Sequence, residues 1–560
     1  MSVVAPAPTR PPYAPLRGVA GTLFATDHKA VAVRTFVLAF VFFLGGGALA
    51  LLMRTELMAP GMQVTSRTGY DQMFSMHGAT MIYLFVTPVA LALGTYFVPL
   101  QVGAAEIAGP RVNLLGFWLY ALGGLIVWLS WFPRNGAGQA AWTAEYPFSD
   151  STSLPGTGMD IWIVGVSLAT VGAILWAGCQ LATIVARRAP GMTLLRMPVF
   201  TWAMLATCLM TVASFPSLLG AMGGLLLDRH GVEVFPGAGG AAAYQHLFWF
   251  YGHPVVYTMF FPFVGVALEI LATFSRRRVF GYKGVALSLL AFAALSSAVW
   301  GHHMFTTGQV SNLYFSLTSH MLAVPAGMEY VAAIGTLIGG ALLLRTPMLF
   351  ALGFFAQFLI GGLTGIYVAS PPLDYHVHDS YFVVAHFHYT LFAGSVFGLF
   401  AAIYHWWPKV TGIMLGERLG KLQFWLLVLG TNLTFFPMFL VGYDGMPRRV
   451  ADYRASDGWT GLNLLETLGS YVVALGMLAF AANVVVSWLA ARPAGPDPWG
   501  GQTLEWATSS PPPRHNFDGP LPPIRSAEPL MDLRGVPPST ARPGRIPWRG
   551  KPGGPPEASR

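Results

Sequence analysis

Cysteine and charge are what this sequence has least of. Its 560 residues include two cysteines, Cys179 and Cys208, which lie in separate apolar runs. They supply neither a disulfide framework nor a thiolate metal cluster. Asp, Glu, Lys and Arg together make up 10% of the chain, whereas soluble domains carry about 25%. Apolar residues make up 54%, and the mean hydropathy is +0.55. No core in water could hide that much apolar surface, so the chain reads as an all-α, polytopic membrane protein. The N-terminal stretch MSVVAPAPTRPPYAPLRG has no apolar run before a cleavage site, so no cleaved signal peptide is expected. No internal repeat emerges.

A spanning helix needs about 20 mostly apolar residues. Twelve candidates are present: 32–53, 73–99, 112–133, 160–186, 199–227, 246–274, 285–307, 313–344, 348–369, 382–407, 422–442 and 463–491. An even number places both termini on one side of the membrane. Lys and Arg concentrate in the loops of that side: Arg111; Arg187, Arg188 and Arg196; Arg276, Arg277, Arg278 and Lys283; Arg345; and Lys409, Arg418 and Lys421. The opposite loops carry Arg67, Arg134, Arg229, Arg448, Arg449 and Arg454. The bias predicts cytoplasmic termini and a multi-pass protein of a bacterial-type cytoplasmic membrane. The net charge of +8 follows from this bias and from a basic tail, not from a nucleic-acid patch. The chain divides into a cytoplasmic N-terminal segment (1–30), a twelve-helix body (31–492) and a Pro/Gly/Arg-rich cytoplasmic tail (493–560). The tail's composition predicts an extended segment without a packed core, ordered at most near its start against partner subunits.

The run LFWFYGHPVVYTMFF, residues 247–261, places His253 and Tyr257 four apart on one helix face. A single buried pair of this kind more often has only found hydrogen-bond partners. Here it is not single. His77 opens the second span, His253 the sixth, His302 and His303 close the seventh, and His386 and His388 open the tenth. With alternating span directions, all six lie at one depth, in the outer half of the membrane. Ionisable groups there are costly and mark function, and imidazole is the common ligand for copper and iron. His386 and His388, two apart, are rotated by about 200° and face two different metals. Adjacent His302 and His303 converge if the helix loosens there, with His253 as a third ligand. Three imidazoles suit copper and leave an open position. His77 and one histidine of the HFH pair can bind a haem iron from both sides, and the other can bind a second haem from one side.

The blocks WFYGHPVVY, VWGHHMF, HDSYFVVAHFHY, MFSMHGATMIYLF and GMPRR resemble the signatures of subunit 1 of the haem–copper oxygen reductases, the cytochrome c oxidase family. The resemblance runs from TDHK near residue 26 to SPPP near 510. It implies that His77 and His388 ligate a low-spin haem, His386 a high-spin haem, and His253, His302 and His303 the copper CuB. It implies that Tyr257 is covalently joined to His253 and supplies an electron and a proton to oxygen. Arg448 and Arg449 resemble the pair that holds haem propionates. His378 and Asp379, with Asp374 nearby, match a Mg²⁺ or Mn²⁺ site. Arg54, in LLMRTEL, resembles the arginine on a haem formyl, which favours haem A at the low-spin site and haem A or a related haem at the other.

The sequence departs from the family in its proton paths. Many relatives carry Glu where this chain has Val255. Tyr251, one turn earlier, resembles the tyrosine of a type A subclass, although Gly252 stands where serine usually follows. Glu106 and Asn113, in GAAEIAGPRVN, match a proton mouth that usually starts with Asp. VPAGMEY places Ala326 and Glu329 where Thr and Lys are usual, so a second path through Glu329 cannot work identically.

The resemblance implies the catalytic subunit of a terminal oxidase that reduces O₂ to water with electrons from cytochrome c, coupled to proton uptake and pumping. The dinuclear copper centre that accepts those electrons needs Cys and His ligands in a soluble domain, so a separate subunit 2 is expected. Subunit 3 and small subunits are expected as separate chains. Gly45, Leu49 and Gly69 replace the Arg, Asp and His of quinol-fed relatives. Tyr257 counts against a nitric-oxide reductase. A transporter with proton-relaying histidines would contain no haem.

Overall fold

A computed structural model of the protein describes residues 18–535. Residues 1–17 of the N-terminal segment and 536–560 of the tail lie outside the described residues. Those described form helices joined by loops, with no strand among them beyond isolated bridges at Ser380–Pro447 and Ile413–Pro493. Helices are what apolar sequence must form in lipid, because each satisfies its own backbone groups.

Eleven helices are long and apolar enough to cross a membrane. They are α1 (His28–Glu56), α2 (Arg67–Gln101), α3 (Pro110–Leu129), α4 (Gly158–Ala186), α5 (Val199–Arg229), α6 (Gly239–Ser275) and α7 (Tyr282–Thr307), followed after two shorter helices by α10, α11, α12 and α13, defined below. The span expected at 313–344 is divided. Helix α8 (Asn312–Met321) stops, Leu322 intervenes, and α9 (Ala323–Leu337) follows. The cause is Pro325, which has no N–H to offer the carbonyl of Met321. Past Leu337 the helix is lost as well. Ala341 N and Leu343 N instead donate to Ser275 O and Phe274 O at the end of α6, at 2.9 and 3.2 Å. The remaining spans are α10 (Thr346–Val368), α11 (Tyr381–Thr411), α12 (Glu417–Tyr443) and α13 (Thr460–Ala490).

Burial ranks these helices. The most apolar windows of α2 and α6 are 94% and 89% buried, while those of α1 and α13 are 28% and 22%. The two helices carrying His77 and His253 therefore form the centre, and α1 and α13 present apolar side chains outward. Helices α3 and α4 approach through glycine. A methyl group at Gly123 would stand 2.6 Å from Ala169 N, so only a bare Cα permits this contact.

The described part of the tail lies on the helical body. Leu504, Trp506, Leu530 and Met531 are buried against the helical body. Lys409 Nζ donates to three tail carbonyls, Pro496 O (2.8 Å), Thr508 O (2.7 Å) and Ser509 O (3.2 Å). Asn516 Nδ2 donates to Ala104 O at 2.8 Å. The segment builds no core of its own, in keeping with its composition. It lays a few apolar anchors on a surface that already exists, and a lysine satisfies its backbone.

Candidate metal centre

His253 is buried on the sixth helix. His302 and His303 lie where α7 tightens into a 3₁₀ turn, Trp300–Thr307. The regular α-helix has ended there, and the two neighbouring imidazoles face one point with that of His253. The ligand atoms of His253, His302 and His303 all lie within 4.8 Å of one another. His253 Nδ1 and His302 Nε2 are each 3.2 Å from His303 Nε2. Three ring nitrogens drawn together in an apolar interior fit one copper ion. Among the described residues this is the only group of three or more such side chains so arranged.

The surroundings orient the rings. Ser319 Oγ lies 2.7 Å from His302 Nδ1 and itself donates to Phe315 O. Ser319 thus accepts a hydrogen bond from the Nδ1–H of His302, which leaves Nε2 with a lone pair for metal. Trp249 stacks on His303 at 3.9 Å and 14°. The Tyr257 ring stands 4.6 Å from that of His253. His253 Nε2 is buried and has no hydrogen-bond partner. The i,i+4 spacing has brought phenol and imidazole together.

The imidazoles of His77 and His388 face each other at 6.5 Å and 19°. That separation of ring centres would let His77 and His388 ligate one haem iron between them. His77 Nδ1 donates to Gly46 O and His388 Nδ1 to Val384 O, both at 2.8 Å. Carbonyls only accept, so both Nε2 atoms are left as ligands. His386 Nδ1 donates to Gly361 O at 3.1 Å, with Thr364 Oγ1 at 3.2 Å. The π-helical stretches Thr80–Val86 and His388–Val396 adjoin these ligands, and such bulges commonly mark functional sites. The donor set fits two haems and one copper.

Above the histidines, Arg448 ion-pairs with Asp379, and Arg449 Nη2 lies 3.4 Å from Glu145 Oε1. Arg448 Nε is buried without a partner, which suits an anionic group. His378 Nδ1 bonds Asp374 Oδ2 at 3.1 Å. Burial disfavours the charged imidazole, but Asp374 and Asp379 outweigh it and raise the His378 pKa above the ordinary 6.5. Burial acts against the Asp379 carboxylate, and Arg448, His378 and Arg449 overcome it, holding its pKa below the ordinary value. Asp379 therefore points its charge to Arg448, while His378 joins Asp374.

Arg54 is buried, pairs with Glu466 Oε2 at 2.9 Å, and donates to Asn463 O and Oδ1 at 3.1 and 2.9 Å. Its Nε and Nη1 remain without partners, so it retains donors for a carbonyl oxygen. Tyr251 is buried, stacked on Tyr83 at 6.1 Å and edge-on to Phe215 at 4.9 Å. Asn113 is fully buried with both side-chain amide atoms unpartnered, and Glu106 is half-buried at the start of the same region. Glu329 is 1% exposed, with Oε1 unpartnered.

Ser319, Thr364, Glu466 and Glu145 join these sites only through the fold. Glu466 had a signal, being a lone carboxylate in an apolar span. The two hydroxyls had none, because Ser and Thr are ordinary in membrane helices.

Comparison with known proteins agrees with this geometry. Residues 30–472 match the family described as cytochrome C and Quinol oxidase polypeptide I. A Nocardia farcinica protein named "Probable cytochrome c oxidase subunit 1-beta" is 47% identical, covering 94% of this chain and 91% of its own. A Corynebacterium efficiens protein named "Cytochrome c oxidase subunit 1" is 46% identical, covering 91% and 88%. A cryo-EM structure of a heme-copper terminal oxidase dimer shares the fold, with a TM-score of 0.70 at 17% identity over 83% of this chain and 84% of that one. With the imidazole cluster and the helical frame in place, the chain belongs to the cytochrome c and quinol oxidase polypeptide I family of oxidoreductases.

Proposed function

We propose that this chain is the catalytic subunit of a cytochrome c oxidase that reduces O₂ to water. Electrons come from cytochrome c through a separate subunit 2 bearing a dinuclear copper centre, and protons are taken up and pumped. The observation that carries the reading is the convergence of His253, His302 and His303 within 4.8 Å, beside the Tyr257 ring. His386 serves the high-spin haem and His77 with His388 the low-spin haem, haem A by the spare donors of Arg54. When bound, the haems and CuB carry electrons to oxygen. Ser319, Gly361, Gly46 and Val384 hold the ligand imidazoles in the tautomer that leaves a nitrogen free. Tyr257, joined to His253 through the unpartnered Nε2, holds the proton it gives up at its hydroxyl. Arg448 and Arg449 hold propionates, and His378 with Asp379 and Asp374 holds Mg²⁺ or Mn²⁺.

Tyr251 stands in for the usual glutamate, as in a type A subclass, and takes protons from Glu106 past Asn113, whose open amide suits bound water. Glu329 serves a second path. The loop charges favour cytoplasmic termini in a bacterial cytoplasmic membrane, and α8 with α9 acts as the twelfth element of the bundle. Subunit 3 and small subunits complete the complex. Pyridine haemochrome analysis with copper determination on the purified complex tests the reading. Two haems and a copper bound within this chain are expected, and a protein without haem refutes it. A nitric-oxide reductase is disfavoured by Tyr257 and a quinol-fed oxidase by Gly45, Leu49 and Gly69. Turnover with nitric oxide alone, or with quinol alone, would select one of them.

A further inference from the structure

A second polar cluster lies at the other end of the central helices from the histidines. Glu269 is sixteen residues beyond His253 on α6, about 24 Å along a helix axis. There α2 ends at Gln101, α11 presents Trp406 in its last turns, and the tail inserts Glu505. Glu269 is 7% exposed, and Gln101 and Glu505 are 0% exposed. Gln101 Nε2 donates to both carboxylates, to Glu269 Oε2 at 2.9 Å and to Glu505 Oε1 at 3.2 Å. Phe200 N donates to Glu269 Oε1 at 2.7 Å, and Trp406 Nε1 to Glu505 Oε1 at 3.2 Å. Thr201 donates to Gln101 Oε1 at 2.8 Å. Glu505 Oε2, fully buried, has no partner.

Every donor to this pair is neutral. Among the described residues, no ion pair reaches Glu269 or Glu505. Lys409, the nearby ammonium, spends its three N–H groups on the carbonyls of Pro496, Thr508 and Ser509. Arg278 pairs with Glu528 and Asp532. Tyr282 donates to Met197 O. Two buried carboxylates that share one amide nitrogen, with no cation paired to either, cannot both be charged without large cost, so one holds a proton. Beside Glu269 is a cavity of ≈ 10 Å³, lined also by His405, Tyr282, Gln502 and Glu528. That is room for about one water molecule. His405 is 1% exposed, and its Nδ1 has no protein partner.

We propose that Glu269 and Glu505 hold a single proton between them, forming a proton-storage site at the tail end of the bundle that exchanges with bulk water through the cavity at His405 and Glu528. The proton enters from water and returns to water, and no bond other than O–H forms or breaks. The site lies apart from the path through Glu106, Asn113 and Tyr251, and it does not depend on the oxygen chemistry. It makes the tail part of the titrating machinery, because one of the two carboxyls comes from the tail.

The test is infrared spectroscopy of the purified complex near neutral pH, in H₂O and in D₂O, on wild type and on the isosteric double variant Glu269→Gln, Glu505→Gln. The protonated-carboxyl band should lose the intensity of one carboxyl per chain in the double variant, and in wild type that component should shift promptly in D₂O. Loss of none means both are ionised, and loss of two means both are neutral. Either result overturns the proposal, and so does a component that never shifts in D₂O. The low-spin haem spectrum reports whether the variant has folded. If it has not, wild type alone decides through pH-difference spectra. A shared proton gives two separated carboxyl steps, and a single two-proton step refutes it.

Discussion

Removing one hydroxyl that touches no metal should weaken copper binding. Ser319 is buried, its Oγ 2.7 Å from His302 Nδ1, and its own proton is committed to Phe315 O. In Ser319→Ala the Nδ1–H loses its acceptor in a closed site. An unsatisfied buried donor costs about 1–3 kcal/mol, and each 1.4 kcal/mol is about tenfold in an equilibrium constant. The imidazole can also turn over or change tautomer, which takes Nε2 away from the other two nitrogens. Together these predict copper affinity lower by about ten- to a hundredfold, the range found when groups supporting metal ligands are removed. The assay is copper retained per chain after dialysis against a graded series of chelator concentrations, with both haem spectra as the check on folding. The His77–His388 pair is untouched, so the low-spin haem should remain. Copper lost at the same chelator concentration as in wild type, with intact haems, would refute the role assigned to Ser319 and weaken the case that His302 binds through Nε2.

His386→Ala should remove the high-spin haem spectrum and spare the low-spin one, and His388→Ala should do the reverse. Loss of the same haem in both variants would contradict the assignment. Tyr257→Phe should assemble with its metals and reduce oxygen at a small fraction of the wild-type rate. A peptide map of wild type should show residues 253 and 257 joined, and full turnover by a metal-replete variant would exclude the phenol's role. Glu528 links pH to the tail. Burial pushes its carboxyl up to about 7 from the ordinary 4.5, against the Val279 N–H and Arg278. Its folded pKa is raised, so its contribution is present below 4.5 and is lost as pH rises through about 7. That is about 3 kcal/mol at most. Proteolysis of the segment around 526–535 should therefore accelerate across this window in wild type and show a flatter profile in Glu528→Gln. Equal profiles would place the pH dependence elsewhere.

Much of this protein was legible from residue types alone. Scarce charge and continuous apolar runs of about 20 residues specify membrane helices, because such a run satisfies its own backbone in lipid by coiling into a helix. The rise and rotation of a helix place six histidines at one depth and turn His386 from His388. These are local and periodic properties of a helix, readable without its neighbours. The divided element at α8 and α9 was also written locally, in Pro325, but hydropathy averaged over the span hides a single missing N–H. What the tertiary structure alone decided is where chains distant in sequence meet. Ser319 against His302, Glu466 against Arg54, and the tail's Glu505 against Gln101 and Glu269 depend on helix packing, which no window of sequence contains. The tail shows this most plainly. Its composition forbids a core of its own, yet Leu504 and Trp506 are buried and Lys409 satisfies its carbonyls, because the helical body supplies the surface that the segment lacks.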